Sequence, residues 1–185
     1  MFIQTEQTPN PGTLKFLPGE PVMVDGVAEF TEAGEAERLS PLAARVFRVE
    51  GVTGVYLGGD FISVTKGADE DWRLLKPAVL GAIMEHFLSG DPVALDGAKL
   101  GSGGSADGDD PTVQQIKELI ESRVRPAVAQ DGGDIVFHGF DRGVVYLHLR
   151  GACSGCPSSI VTLKNGIENL LKYYVPEVVE VRAIS

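Results

Sequence analysis

Ten consecutive residues, Gly101-Ser102-Gly103-Gly104-Ser105-Ala106-Asp107-Gly108-Asp109-Asp110, contain no large apolar side chain. Such a run can bury nothing and reads as a flexible linker. A chain of 185 residues cut there cannot form one continuous core, so two small domains are expected on either side. The boundaries expected are a first domain over 1–92, a linker over 93–110 and a second domain over 111–185. A coil of roughly 20 residues, taken from 91 to 110, spans on the order of 25 Å and lets its flanks move semi-independently.

The charge steps at the same place. Residues 1–95 carry 7 Lys+Arg against 14 Asp+Glu, residues 96–110 carry 1 against 4, and residues 111–185 carry 8 against 8. The net charge of −10 therefore belongs to the first part and the linker. No basic face is offered to a phosphate backbone, which argues against nucleic acid as a partner. No stretch approaches the ~20 apolar residues that span a bilayer, which argues against a membrane. The opening Met1-Phe2-Ile3-Gln4-Thr5-Glu6 has neither a basic start before an apolar run nor an Arg-rich amphipathic one. The chain reads as cytoplasmic, or as an organellar protein already processed, and the first reading is the simpler because Met1 is still present.

Both halves read as α+β. In the first, residues 2–5 and 13–17 are expected as short strands around the turn Pro9-Asn10-Pro11-Gly12, and 22–27 as a third. Ser40-Pro41 is a helix start leading into residues 42–49. A hairpin over 52–57 and 61–65 turns at Gly58-Gly59-Asp60. A helix over 71–88 comes next, with Leu75, Val79, Ile83 and Phe87 on one stripe and Pro77 expected to delay or kink it.

In the second half, Asp110 or Thr112 caps a helix buried through Ile116, Leu119, Ile120 and Val124, which Pro126 should end or bend near Arg125. Asp131-Gly132-Gly133-Asp134 is a turn using glycine at positive φ. A hairpin over 135–140 and 144–150 turns at Asp141-Arg142-Gly143. A helix from Pro157 carries Ile160, Val161, Leu163, Ile167, Leu170, Leu171 and Tyr174 on its apolar side, Pro176 stops it, and 178–183 returns as a strand. The order is α-β-β-α-β.

Only two cysteines occur, Cys153 and Cys156, at the junction between the hairpin and that helix. Two cysteines so close staple nothing distant, and in a reducing compartment such a pair binds metal or does redox chemistry. Gly151 and Gly155 free the loop to turn. Cys156 is expected as the helix N-cap, and the helix N-terminus then favours thiolate over thiol. Backbone N–H groups at Ser154, Gly155 and the helix start are placed to bond cluster sulfides.

Iron–sulfur clusters and many structural zinc sites take four thiolates. One chain supplies two, and His86, His138 and His148 stand in no ligand-like spacing with them. Either the pair is a dithiol/disulfide oxidoreductase, or two chains share a metal, iron–sulfur or zinc, across a two-fold axis. Spacing alone leaves these open. A thioredoxin-like pair would follow the first strand of a βαβ unit, whereas this one follows a hairpin. His138 and His148 read as surface or packing residues, Asp131 and Asp134 as turn and capping groups, Trp72 and Phe87 as core, and Lys164 and Lys172 as exposed-face residues.

The run Arg150-Gly151-Ala152-Cys153-Ser154-Gly155-Cys156-Pro157-Ser158-Ser159, with Gln130-Asp131-Gly132-Gly133-Asp134-Ile135 before it, resembles the NifU-like C-terminal domain of the Nfu family of iron–sulfur scaffold and carrier proteins. Thr8-Pro9-Asn10-Pro11-Gly12-Thr13-Leu14-Lys15-Phe16, together with Ser89-Gly90-Asp91, resembles that family's N-terminal domain. The likeness is to the bacterial and mitochondrial two-domain forms and covers nearly all of the chain outside the linker. It implies a [4Fe–4S] cluster bridged between two chains through Cys153 and Cys156. It also implies receipt of that cluster from an upstream assembly scaffold and transfer to apo client proteins. The chain would then be a carrier and not an enzyme, with the acidic first domain as a partner-contacting module.

Overall fold

The computed structural model describes residues 1–98, 110–154 and 157–184, the side chains of 157–159 excepted. It is α+β and divides into two units, Met1–Gly101 and Ser102–Ser185.

The first unit is a five-stranded antiparallel sheet in the order β1-β2-β5-β4-β3. Its strands are β1 Gln4–Gln7, β2 Thr13–Leu17, β3 Ala28–Phe30, β4 Val52–Leu57 and β5 Ile62–Lys66. The helices are α1 Ala33–Leu39, α2 Pro41–Phe47 and α3 Trp72–Ser89. Ser40 starts α2 as its sequence promised: its Oγ accepts from the Ala43 N–H at 3.0 Å, and Pro41 fills the first position, where no N–H is needed. Phe16, Phe30, Leu42, Leu57, Ile62, Val79 and Ile83 make one buried cluster. Trp72 and Phe87 pack against that cluster only partly buried, while His86 is fully buried in the place expected for Phe87.

Two expectations fail here. The strand expected over 22–27 is absent. Val22 and Met23 instead donate to Gly59 O and Gly58 O at 2.8 and 3.1 Å, and the third strand forms later, at Ala28–Phe30. Pro77 does not delay α3, which runs through it from an Asp71 cap. The chain also stays on this unit beyond residue 92. Ser40 Oγ donates to Val93 O at 2.6 Å, Leu95 N–H donates to Leu39 O at 2.7 Å, and Ala98 is buried. Val93, Ala94 and Ala98 of the expected linker therefore pack on this unit's core, and its Gly/Ser/Asp run lies outside the described residues apart from Asp110.

The second unit has a three-stranded sheet, β6 Gly133–Asp141, β7 Val144–Gly151 and β8 Glu180–Ile184. β6 and β7 form an antiparallel hairpin whose turn uses Arg142 and Gly143 at φ 50° and 80°. β8 returns parallel to β7, which requires a crossover, and α6 Pro157–Tyr174 provides it. α4 Pro111–Leu119 begins at Asp110, whose carboxylate accepts from Thr112 N–H at 3.0 Å. Ile116, Ile120, Val128, Ile135, Val145, Leu147, Ile167, Leu171 and Val181 make the core. Val161, assigned to the apolar side of α6, is 58% exposed.

Pro126 does not end the first helix of this unit. A π-helical turn, Ile120–Val124, joins α4 to α5 Arg125–Gln130. A proline in a regular helix collides with the carbonyl four residues back, and the wider turn absorbs that conflict. No described helix is long and apolar enough to cross a membrane.

Candidate metal centre at the β7–α6 junction

β7 ends at Gly151, paired with Gly133 at the start of β6 and held at φ 61°. A chain of short bonds folds the loop back from there. Ala152 N–H donates to Gly132 O, Cys153 N–H to Arg150 O and Ser154 N–H to Gly151 O, at 3.2, 3.3 and 3.1 Å. The turn tucks Cys153 inward, where it is 7% exposed and belongs to the core of the second unit.

Gly133 makes room for it. A Cβ at position 133 would collide with Cys153 Sγ and stand 3.0 Å from the Cys153 nitrogen. The glycine expected to serve as a positive-φ turn residue is Gly132, at φ 77°. Gly133 is instead a strand residue required by close approach.

Burial governs the electrostatics at Cys153, while the helix-stabilised thiolate was expected at the N-cap Cys156, which lies outside the described residues. Burial pushes its thiol up to about 12, with the Asp131 and Asp134 carboxylates adding to the rise and the Asp134 backbone N–H at the sulfur opposing it. Desolvation wins because the sulfur faces the core. In this conformation Cys153 is a thiol across the neutral range.

Asp134 is not a turn or capping group. It is buried at 4% exposure and gripped by Arg125, with Nε donating to Oδ1 at 2.8 Å and Nη2 to Oδ2 at 3.0 Å. Its Oδ1 also accepts from Ile135 N–H at 2.9 Å. Arg125 Nη1 in turn donates to both oxygens of Glu121, at 2.9 and 3.0 Å. Arg125 and Glu121 carried no signal as site residues beyond a four-residue spacing on one helix. That Arg125 reaches β6 is a consequence of the π-turn, which the sequence shows only as Pro126.

Cys156, the expected second ligand and N-cap, lies outside the described residues, as does Gly155. His138 is exposed and His148 half-buried. Among the described residues no three of His, Cys, Asp or Glu gather as a metal site. Lys172 pairs with Glu168 at 2.7 Å, and Lys164 approaches Glu180 at 3.8 Å.

Family models match both units: "Scaffold protein Nfu/NifU N terminal" over residues 3–90 and "NifU-like domain" over 116–182. A human protein named "NFU1 iron-sulfur cluster scaffold homolog, mitochondrial" is 51% identical over 179 residues, covering 96% of this chain and 70% of that protein. The chain belongs to the Nfu family of iron–sulfur cluster scaffolds. Nfu proteins of the same name from Drosophila virilis and Drosophila erecta are each 50% identical over 184 residues. The chain covers 62% and 65% of their length, so it spans about two thirds of the curated Nfu relatives it matches. Among solved structures, a NifU-like protein from Saccharomyces cerevisiae aligns with 52% of this chain and 86% of that one, at 25% identity and a TM-score of 0.42. All three Nfu relatives are named mitochondrial, which overturns the cytoplasmic expectation. A targeting segment is removed in the mature protein, so the residues that open a folded domain do not report its compartment.

Proposed function

We propose that Cys153 and Cys156 of two chains hold one [4Fe–4S] cluster between them, and that the chain delivers this cargo to apo client proteins after receiving it from an upstream scaffold. The observation that carries the reading is the junction itself: a cysteine loop ending a strand and opening an 18-residue helix, in a chain with two cysteines where a cluster takes four thiolates.

The chain's own residues have defined tasks in this reading. Cys153 must lose its proton and turn its sulfur out from beneath Gly133. Deprotonation in the seated position costs roughly 4 kcal/mol more than for a free thiol, which keeps Cys153 of the cluster-free chain from reacting indiscriminately. Transfer is ligand exchange without net oxidation: each incoming client thiol gives up its proton and replaces one chain thiolate, which is reprotonated and reseated. A dithiol oxidoreductase is the second reading, and the observation that favours it is that the pair follows the first strand of the parallel unit β7–α6–β8.

The test is transfer to an apo [4Fe–4S] enzyme, read as recovered activity with an iron chelator present. Recovery from the loaded chain that the chelator does not intercept supports delivery. Recovery no faster than from free iron and sulfide, and abolished by the chelator, overturns it.

A further inference from the structure

We infer that Arg125 is a positioning residue for Cys153, acting through Asp134 and Gly133. The inference rests on the reading of Cys153 as a cluster ligand.

The peptide between Gly133 and Asp134 adjoins the sulfur, which lies in the space that a Cβ at Gly133 would fill. The orientation of that peptide is fixed by the Asp134 side chain, whose two oxygens are both taken by Arg125 and one of them also by Ile135 N–H. Glu121 completes the chain by holding Arg125 from the other side.

A structural role alone explains this poorly. A buried ion pair is often no more stabilising than an apolar pair of the same volume, because desolvation offsets the attraction. What a two-point fork adds is geometry, since a planar guanidinium accepts a carboxylate in one orientation only. The helix is also built to deliver it. Arg125 comes directly after the π-turn Ile120–Val124. A π-turn adds a residue to its turn and rotates the residues beyond it by about 100° relative to a regular helix. Arg125 would not face Asp134 from an uninterrupted α-helix in the same register. Groups one step behind a metal ligand orient it in just this way, and their loss typically lowers metal affinity by about 10- to 100-fold.

The experiment compares Arg125→Lys, which keeps the charge and loses the fork, with Arg125→Gln, which loses both. A third variant, Ile116→Ala, removes a buried side chain elsewhere in the same core and is the control for lost stability. The first readout is the half-life of the reconstituted cluster against a chelator, compared with each variant's thermal midpoint. We expect both Arg125 variants to lose cluster at least about tenfold faster than wild type, while Ile116→Ala at a similar or lower midpoint keeps the wild-type half-life.

The second readout needs no cluster. In a Cys156→Ser background, Arg125→Lys should speed maleimide labelling of Cys153 and hydrogen exchange at the Asp134 amide, each by at least about tenfold, with exchange at Leu147 unchanged. Loss of cluster that merely tracks the midpoint across all three variants, or unchanged labelling and Asp134 exchange in Arg125→Lys, overturns the inference. If wild type takes up no cluster, the functional reading fails by itself, and the second readout still decides the role of Arg125. Should the Arg125 variants not fold, Asp134→Asn, which keeps the side-chain shape, carries the same expectations in weaker form.

Discussion

On the proposed reading Cys153 rests as a buried thiol and must also meet a metal, and the residue that reconciles these is Gly133. Any side chain there competes with the sulfur for one volume. Gly133→Ala should therefore destabilise the second unit by about 2 kcal/mol through overpacking, checked by urea unfolding, and should expose Cys153 to labelling even where the unit stays folded. The motif made the cysteine legible but not its burial, because the glycine looked like a turn residue and the contact joins positions 20 residues apart. His86 offers a second test. Its ring is fully buried with neither nitrogen hydrogen-bonded. Burial first, and then the nearby Arg45, hold it below the ordinary 6.5, against an opposing pull from Asp91. The folded chain thus keeps the ring neutral where the unfolded chain would protonate it. This stability is complete above pH 6.5 and falls as the pH drops below it. Trp72, the single tryptophan, reports the first unit: its urea midpoint should fall between pH 7.5 and 5.5, and His86→Leu should flatten that slope.

At the level of elements, the helix starts were legible because capping is local chemistry. Ser40 and Asp110 both stand where the sequence put them, but they differ in what they hold. Ser40 is fully buried, accepts from Ala43 N–H and donates to Val93 O, whereas Asp110 is exposed and its carboxylate accepts from the Thr112 N–H at its own helix. Ser40→Ala should cost about 2 kcal/mol and Asp110→Ala about 1 kcal/mol or less, measured as changes in unfolding free energy of the respective units. The elements that escaped the sequence lack a local signature. α1 buries only Ala36 among its seven residues, so it shows no apolar period. β3 is three residues long and forms by pairing with β4. The π-turn is the converse case: Pro126 announced a disturbance, and only packing decided that the helix would widen instead of stopping. The buried side of α3 was read correctly at Leu75, Val79 and Ile83 but not at Phe87, where His86 is buried instead, and its outer face carries Leu74 and Leu88 at 79% and 76% exposure. Leu88→Lys should leave stability within about 0.5 kcal/mol of wild type.

For the molecule as a whole, the break in composition at 101–110 announced two bodies because a core cannot be continued through glycine, serine and aspartate. Each unit then closes its own core. The cysteines, the Gly133 seat and the Glu121–Arg125–Asp134 chain all lie in the second unit. A fragment of residues 110–185 should accordingly fold and load a cluster by itself, while a fragment of residues 1–98 should fold, show its Trp72 unfolding transition and bind no iron. The compartment was the property least accessible to the sequence, since nothing in either folded unit depends on it. Whether one cluster is held by two chains can be read by native mass spectrometry of the full chain after anaerobic reconstitution with iron and sulfide. The expected species is two chains plus one [4Fe–4S] unit, about two irons per chain, and it should disappear in both Cys153→Ala and Cys156→Ala. A single chain carrying no iron, or a cluster that survives loss of either cysteine, would refute the shared site.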